Sequence, residues 1–201
     1  MINKCKIGGI VLIIILVLIG CSKTEIIEEN TVRVSDSDLF EGELKKLEPH
    51  MGLITGSAKI EYNGDKDFIG CKYEIWENGE ITETSDIFST RIDGEFDGEI
   101  NISLKQLINN ELEKSDNMIM TTSLGNENGY SSSTKYIKRF DENYGYSPYE
   151  LTEEIIVTDD SDISVWGLMA SDDSVFSQEK TIEETAEKVD WAIVVKVYFK
   201  N

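Results

Sequence analysis

From Gly52 onward apolar residues return at every second position, and no other feature of the chain constrains its fold as much. Ala58, Ile60 and Tyr62 alternate with Ser57, Lys59 and Glu61, and Ile69, Cys71, Tyr73 and Ile75 alternate with Gly70, Lys72 and Glu74. Successive side chains of an extended strand point to opposite faces, so a period of two gives each strand one face for a core and one for water. Asn78-Gly79 follows the second run. A two-residue type I′ turn needs positive φ at both central positions, so this pair predicts a hairpin in which Ile81 to Ile92 returns and Trp76 faces Ile81.

The pattern continues to the carboxyl end. A strand is expected over 99–104, after two turn-like dipeptides, Asp93-Gly94 and Asp97-Gly98. Met118, Met120, Thr122 and Leu124 alternate before the turn-rich 125–129, and 131–140 reads as the returning strand, with Tyr136 and Phe140 on one face. Residues 151–158 and 163–170 form two more strands, separated by Asp159-Asp160-Ser161-Asp162. Trp191, Ile193, Val195, Val197 and Phe199 fill one face of the last strand, while Ala192 and Val194 make the other apolar too. A strand apolar on both faces belongs at the centre of a sheet. Helical spacing predicts two short helices, one near 103–114 through Leu104, Leu107, Ile108 and Leu112, and one over 181–188 through Ile182 and Ala186. Many short strands joined by Gly, Asn and Asp turns predict an all-β fold, here an immunoglobulin-like β-sandwich of about eight strands over residues 50–201.

The amino terminus reads as an address. Lys4 and Lys6 precede an uncharged run over 7–20, which ends in Leu18-Ile19-Gly20-Cys21. The run is shorter than the about 20 residues of a membrane span and matches the apolar region of a secretory signal peptide. The last four residues resemble the bacterial lipobox. That resemblance implies a signal peptide over 1–20, cleavage after Gly20, and a lipid on Cys21 that anchors the chain at the extracytoplasmic face of the cell membrane. A thiolate is the nucleophile such a modification needs, and two or more acyl chains hold a protein stably where one is marginal. Cys71 is then the only thiol left, so no internal disulfide forms in the mature chain. Residues 21–49, rich in Glu and Asp, are expected to be a flexible acidic tether.

Charge narrows the partners. The chain has 19 Lys+Arg against 39 Asp+Glu, a formal net charge of -20. Such a surface repels nucleic acid and anionic headgroups, so the membrane is met only through the lipid. With a single histidine, any histidine-dependent triad or histidine metal site would have to be built around His50 alone. No Gly-rich phosphate loop, Cys-x-x-Cys or nucleophile elbow occurs.

The candidates that remain are loops. Asp159, Asp160 and Asp162 could bring three carboxylates to one edge of the sandwich, and calcium takes six to eight oxygen ligands of this kind. No cofactor is required, and calcium is the ion such a loop would take. Segments starting at Asn63 and Asp93 imitate an EF-hand only in part: Phe68 stands where Gly is needed in one and Leu104 where a bidentate Glu is needed in the other. Tyr144, Tyr146 and Tyr149 crowd a loop around Pro148, where tyrosines give rigid amphipathic contact area for a ligand or partner. Trp76 and Trp166 read as core or sheet-packing residues and Cys71 as a buried thiol. The expected function is a membrane-anchored, non-catalytic binding or interaction module at the cell surface, meeting a protein or a small ligand. Two alternatives are a calcium-dependent ligand-binding sandwich and a carboxylate-based enzyme acting on cell-wall polymer.

Overall fold

A computed structural model describes residues 27–40, 42–108, 114–149, 151–173 and 176–201. The expected signal peptide over 1–20, with cleavage after Gly20, and the expected lipid site Cys21 lie outside the described residues. Among the described residues eleven strands form two antiparallel sheets packed face to face. The strands are β1 (Thr31–Ser37), β2 (Leu53–Asn63), β3 (Phe68–Glu77), β4 (Glu80–Arg91), β5 (Glu95–Ile108), β6 (Lys114–Asn126), β7 (Gly129–Lys138), β8 (Gly145–Pro148), β9 (Ile155–Thr158), β10 (Ile163–Ser171) and β11 (Trp191–Lys200). One sheet runs β7-β6-β5-β2-β1-β9 and the other β4-β3-β11-β10-β8. The all-β sandwich expected from the alternation is therefore the fold, with more strands than the roughly seven to nine of an immunoglobulin domain.

The core lies between the sheets and is built as the period of two requires. Ala58, Ile60 and Tyr62 of β2 and Ile100, Ile102 and Leu104 of β5 face Ile69, Cys71, Tyr73 and Ile75 of β3 and the Trp191–Phe199 row of β11. Asn78 and Gly79 take φ of 53° and 79°, and Trp76 pairs with Ile81, as the hairpin requires. A bulge between Ser164 and Trp166 turns both Val165 and Trp166 inward. Gly56 of β2 makes room for this indole, since a Cβ there would stand 1.9 Å from Trp166 Nε1.

The outer face of the five-stranded sheet carries a second, smaller core. Helix α2 (Ile182–Ala186) lays Ile182 and Ala186 against Met169, Ala192 and Val194, with Trp76, Tyr149 and Val189 around them. Thr181 caps the helix by accepting from Glu184 N at 3.1 Å. This cover explains why β11 is apolar on both faces, and β11 is indeed central, between β3 and β10.

Four expectations need correction. The acidic stretch 21–49 is not all tether: β1 is hydrogen-bonded between β2 and β9, with Val32 and Val34 fully buried. The chain between β1 and β2 holds a 3-10 turn (Gly42–Lys46) and the short helix α1 (Glu48–Met51), which ends on Gly52 at φ 60°. The described part of 103–114 is strand rather than helix, because β5 continues to Ile108 and β6 begins at Lys114. A register shift between Gln106 and Ile108 breaks the alternation there and leaves apolar residues at a helix-like spacing. Asp97-Gly98 is not a turn either. Gly98 lies within β5, at a point where a Cβ would meet Gly125 O of β6 at 2.2 Å, so the position takes a glycine for lack of room. Finally, Tyr136 and Phe140 do not share a face: Phe140 is buried while Tyr136 is 71% exposed.

Candidate functional site

The acidic loop after β9 crosses from one sheet to the other, and its carboxylates diverge. Asp159 turns inward, 4% exposed, and accepts from Tyr62 Oη at 2.8 Å. Burial first, with the Asp159 carboxylate adding to it, pushes the Tyr62 phenol up to about 12, so this hydroxyl is a permanent donor in a structural bond. Asp162 pairs with Lys72 on the outer face of the other sheet, and Asp160 is exposed. Among the described residues no group of three His, Cys, Asp or Glu side chains is placed to hold a metal ion.

The tyrosine loop divides as well. Tyr149 belongs to the core under α2, where its hydroxyl lies 3.0 Å from the carbonyls of Glu179 and Lys180. Tyr144 packs at the margin of the main core, and Tyr146 alone is an exposed side chain of edge strand β8, its ring 5.2 Å from that of Phe140. Trp76 and Trp166 are both buried. Cys71 is fully buried, and burial pushes its thiol up to about 12, which leaves no reactive thiolate at neutral pH. His50 is exposed at the end of α1.

A chain of buried charge also invites attention. Lys196 of β11 lies 2.9 Å from Glu74 of β3 and 3.4 Å from Glu183 of α2, and Lys72 reaches Glu74 at 4.0 Å and also pairs with Asp162. Ser164 of β10 donates to Glu183. Glu74 and Lys196 are 5% and 9% exposed. Each charge has an opposite partner, so the chain holds α2 and the loop before β10 onto the sheet.

The outer face of the six-stranded sheet is different. No hydrophobic cluster and no helix covers its β5–β6–β7 half among the described residues. Strand register aligns its outward side chains in rows. One row reads Ser37, Ser57, Asn101, Ser123, Ser132 across β1, β2, β5, β6 and β7. The next reads Thr55, Ser103, Thr121, Thr134 across β2, β5, β6 and β7. Every member is a hydroxyl or an amide, in a chain in which 29% of residues are charged. Neighbours are spaced about 5 Å across strands. Some pair with one another: Ser57 Oγ donates to Asn101 Oδ1 at 2.8 Å, and the Thr121 and Thr134 hydroxyls are 3.2 Å apart.

Two tyrosines bracket these rows on β7. Tyr130 is 79% exposed and Tyr136 is 71% exposed, both on the outward side with Ser132 and Thr134 between them. Opposite Tyr130 stands Gly125, where a Cβ would come within 2.5 Å of Tyr130 Cβ, so the sheet stays bare beside that ring. A concavity of about 1140 Å³ opens at this end, lined by Asn101, Ser123, Tyr130 and the 127–128 turn on one side and by Lys59 and Glu61 on the other. Charges lie along the margins of the rows: Ser37 Oγ donates to Glu99 at 2.9 Å, Thr55 Oγ1 donates to Glu48 of α1 at 3.3 Å, Lys105 of β5 pairs with Ile119, Lys59 bridges Glu61 and Asp97 at 3.1 and 3.4 Å, and Arg33 meets Glu154 at 3.1 Å.

Sequence reasoning missed this face. The signal was present, since inward Ile137 forces Tyr130, Ser132, Thr134 and Tyr136 outward together once 130–137 is read as one strand. Compared with protein-family models, with curated proteins and with solved structures, the chain matches none.

Proposed function

We propose that this chain is a lipid-anchored, extracytoplasmic binding module without catalytic chemistry of its own, and that it meets its partner on the outer face of the six-stranded sheet. The observation that carries the reading is the asymmetry between the two outer faces. One is covered over β10 and β11 by α2 and a network of ion pairs, while the other presents two uncharged rows and two exposed tyrosines, with no helix or hydrophobic cluster over their β5–β7 part among the described residues. The face offers donors and acceptors for binding, and among the described residues no group of three His, Cys, Asp or Glu side chains is placed to hold a metal ion.

The anchor rests on the lipobox resemblance at Cys21. Thr31 opens β1 ten positions after Cys21, a length of chain that spans at most about 35 Å, so the sandwich would ride close to the bilayer. Replacing Cys21 with serine should move the protein from the membrane fraction to the medium or the soluble fraction. The binding reading is tested by cross-linking the full-length protein on intact cells and mapping the adducts. Adducts on peptides from β5, β6 and β7 support it. Adducts confined to the α2 face or to the β8 edge would overturn the choice of face, and the absence of any adduct would overturn the module itself.

A further inference from the structure

We infer that the uncharged rows bind a neutral polysaccharide, laid along β7 between Tyr130 and Tyr136 and spreading across β6 and β5. This deepens the binding-module reading and rests on it.

The aromatic evidence comes first. Tyr130 and Tyr136 are the two most exposed large hydrophobic side chains among the described residues. They stand on one face of one strand, six residues and therefore about 20 Å apart. A tyrosine ring has a negative face and little conformational freedom to lose. The C–H bonds on the flat side of a sugar ring present weakly positive hydrogens, so two such rings make stacking platforms for an extended chain. Their separation exceeds one sugar, which favours a polymer over a monosaccharide.

The ground between the rings supplies the second half of the match. Asn101, Ser103, Thr121, Ser123, Ser132 and Thr134 present hydroxyls and an amide, groups that both donate and accept. Sugar hydroxyls have the same dual character, and each can answer a side chain in either direction. A protein partner asks for something else, an apolar centre that stays dry, and the only aliphatic side chain flanking these rows on β6 is Ile119 at the Tyr136 end.

Charge makes the choice between neutral and anionic polymers. The chain is at -20, its acids crowd the margins of this face, and no Lys or Arg stands within the two rows. A polyanion would be repelled by this net charge, and beside the rows it would meet only Lys59, already paired with Glu61 and Asp97, and Lys105 of β5. A neutral chain loses nothing on this surface.

The test uses full-length protein in detergent micelles on an array of immobilised oligosaccharides: neutral α- and β-linked glucans and chitin fragments of increasing length, with sulfated and sialylated glycans beside them. At least one neutral series should retain the protein, more strongly as the chain lengthens, and should go on doing so in about 1 M salt, where charge-driven binding is screened. Tyr130→Ala and Tyr136→Ala should each weaken retention about tenfold, the equivalent of about 1.4 kcal/mol. Both side chains are solvent-exposed, and melting curves that match the parent show that the variants fold. Thr134→Lys, which puts a charge between the rings, should abolish retention of the same series. Three results would each overturn the inference: no neutral series retained, retention of charged glycans alone, or both tyrosine variants binding as the parent does. If the array stays blank while the two tyrosine variants lose their cell-surface adducts on β5–β7, the ligand class fails and the binding module stands. If neither glycans nor adducts are found, both fall.

Discussion

Val34→Ala separates two descriptions of the chain before Gly52. If residues 21–49 were a solvated spacer, trimming a valine there would change nothing. In the structure Val34 is fully buried in the main core, on a strand held by β2 on one side and β9 on the other. The substitution removes the equivalent of two methylene groups, at about 0.8 kcal/mol each, and adds a share for the void left between two sheets that cannot close around it. The expected loss is about 2 kcal/mol, which lowers the melting temperature of a domain of this size by roughly 4–8 °C. Urea titration followed by tryptophan fluorescence measures it, with the slope of the transition unchanged and only the midpoint moved. Asp36→Ala is the control, since it lies on the same strand with an exposed side chain and should stay within about 0.5 kcal/mol of the parent. If the two variants melt together, β1 is not part of the cooperative unit and the reasoning fails.

Three further outcomes are expected. Gly56→Ala drives a Cβ into the Trp166 indole and should cost about 1–3 kcal/mol by overpacking; a parent-like melt would show that the indole does not sit there. Cys71, buried and with its thiol pushed up to about 12, should resist iodoacetamide in the native protein and react once denaturant is added; rapid labelling without denaturant would contradict its burial. Asp190 accepts from Ser171 Oγ at 2.6 Å and from the Asp172 amide at 3.0 Å, and these donors, Ser171 first, hold its carboxyl below the ordinary 3.8. Because the folded value lies below the unfolded one, the stability it contributes is present above the ordinary value and is lost as pH falls through the folded one. Melting curves of the parent and Asp190→Asn should therefore differ at neutral pH and draw together in acid; a gap that is constant with pH would refute the linkage.

The regions that were legible in the sequence and those that were not differ in where their structure is decided. β3, β6 and β11 alternate so regularly that their inward faces can be named residue by residue, and Asn78-Gly79 sets a register through two positive φ angles that any reader of turns can anticipate. Local chemistry decides these cases. β1 offers only Val32 and Val34 in a run crowded with polar and acidic residues, and its burial is settled by β2 and β9, the latter more than a hundred residues away. The helix expected near 103–114 arose from a bulge, which shifts apolar residues off the period of two and onto a spacing that imitates a helix. The candidate face was hidden for a further reason. Taken singly, Ser123 or Thr134 is an ordinary solvated residue of a strand, and the two rows exist only once five strands are placed in register. The loops drew attention instead because carboxylates and tyrosines cluster there along the chain, although folding then sends Asp159 inward and Asp162 to Lys72.

The position of β1 also has a mechanical consequence. A pull on the chain ahead of Thr31 acts along the axis of a strand whose hydrogen bonds to β2 and β9 lie across that axis. Such a load shears the ladder, so its bonds share the force and must break together, whereas a strand peeled from its end surrenders them one after another. If a lipid on Cys21 holds one end of the load and a polymer on β5 to β7 the other, the force between them crosses the sheet through β2, whose pairing with β5 is the longest in that sheet. Under that arrangement β1 is the strand that would take the traction first.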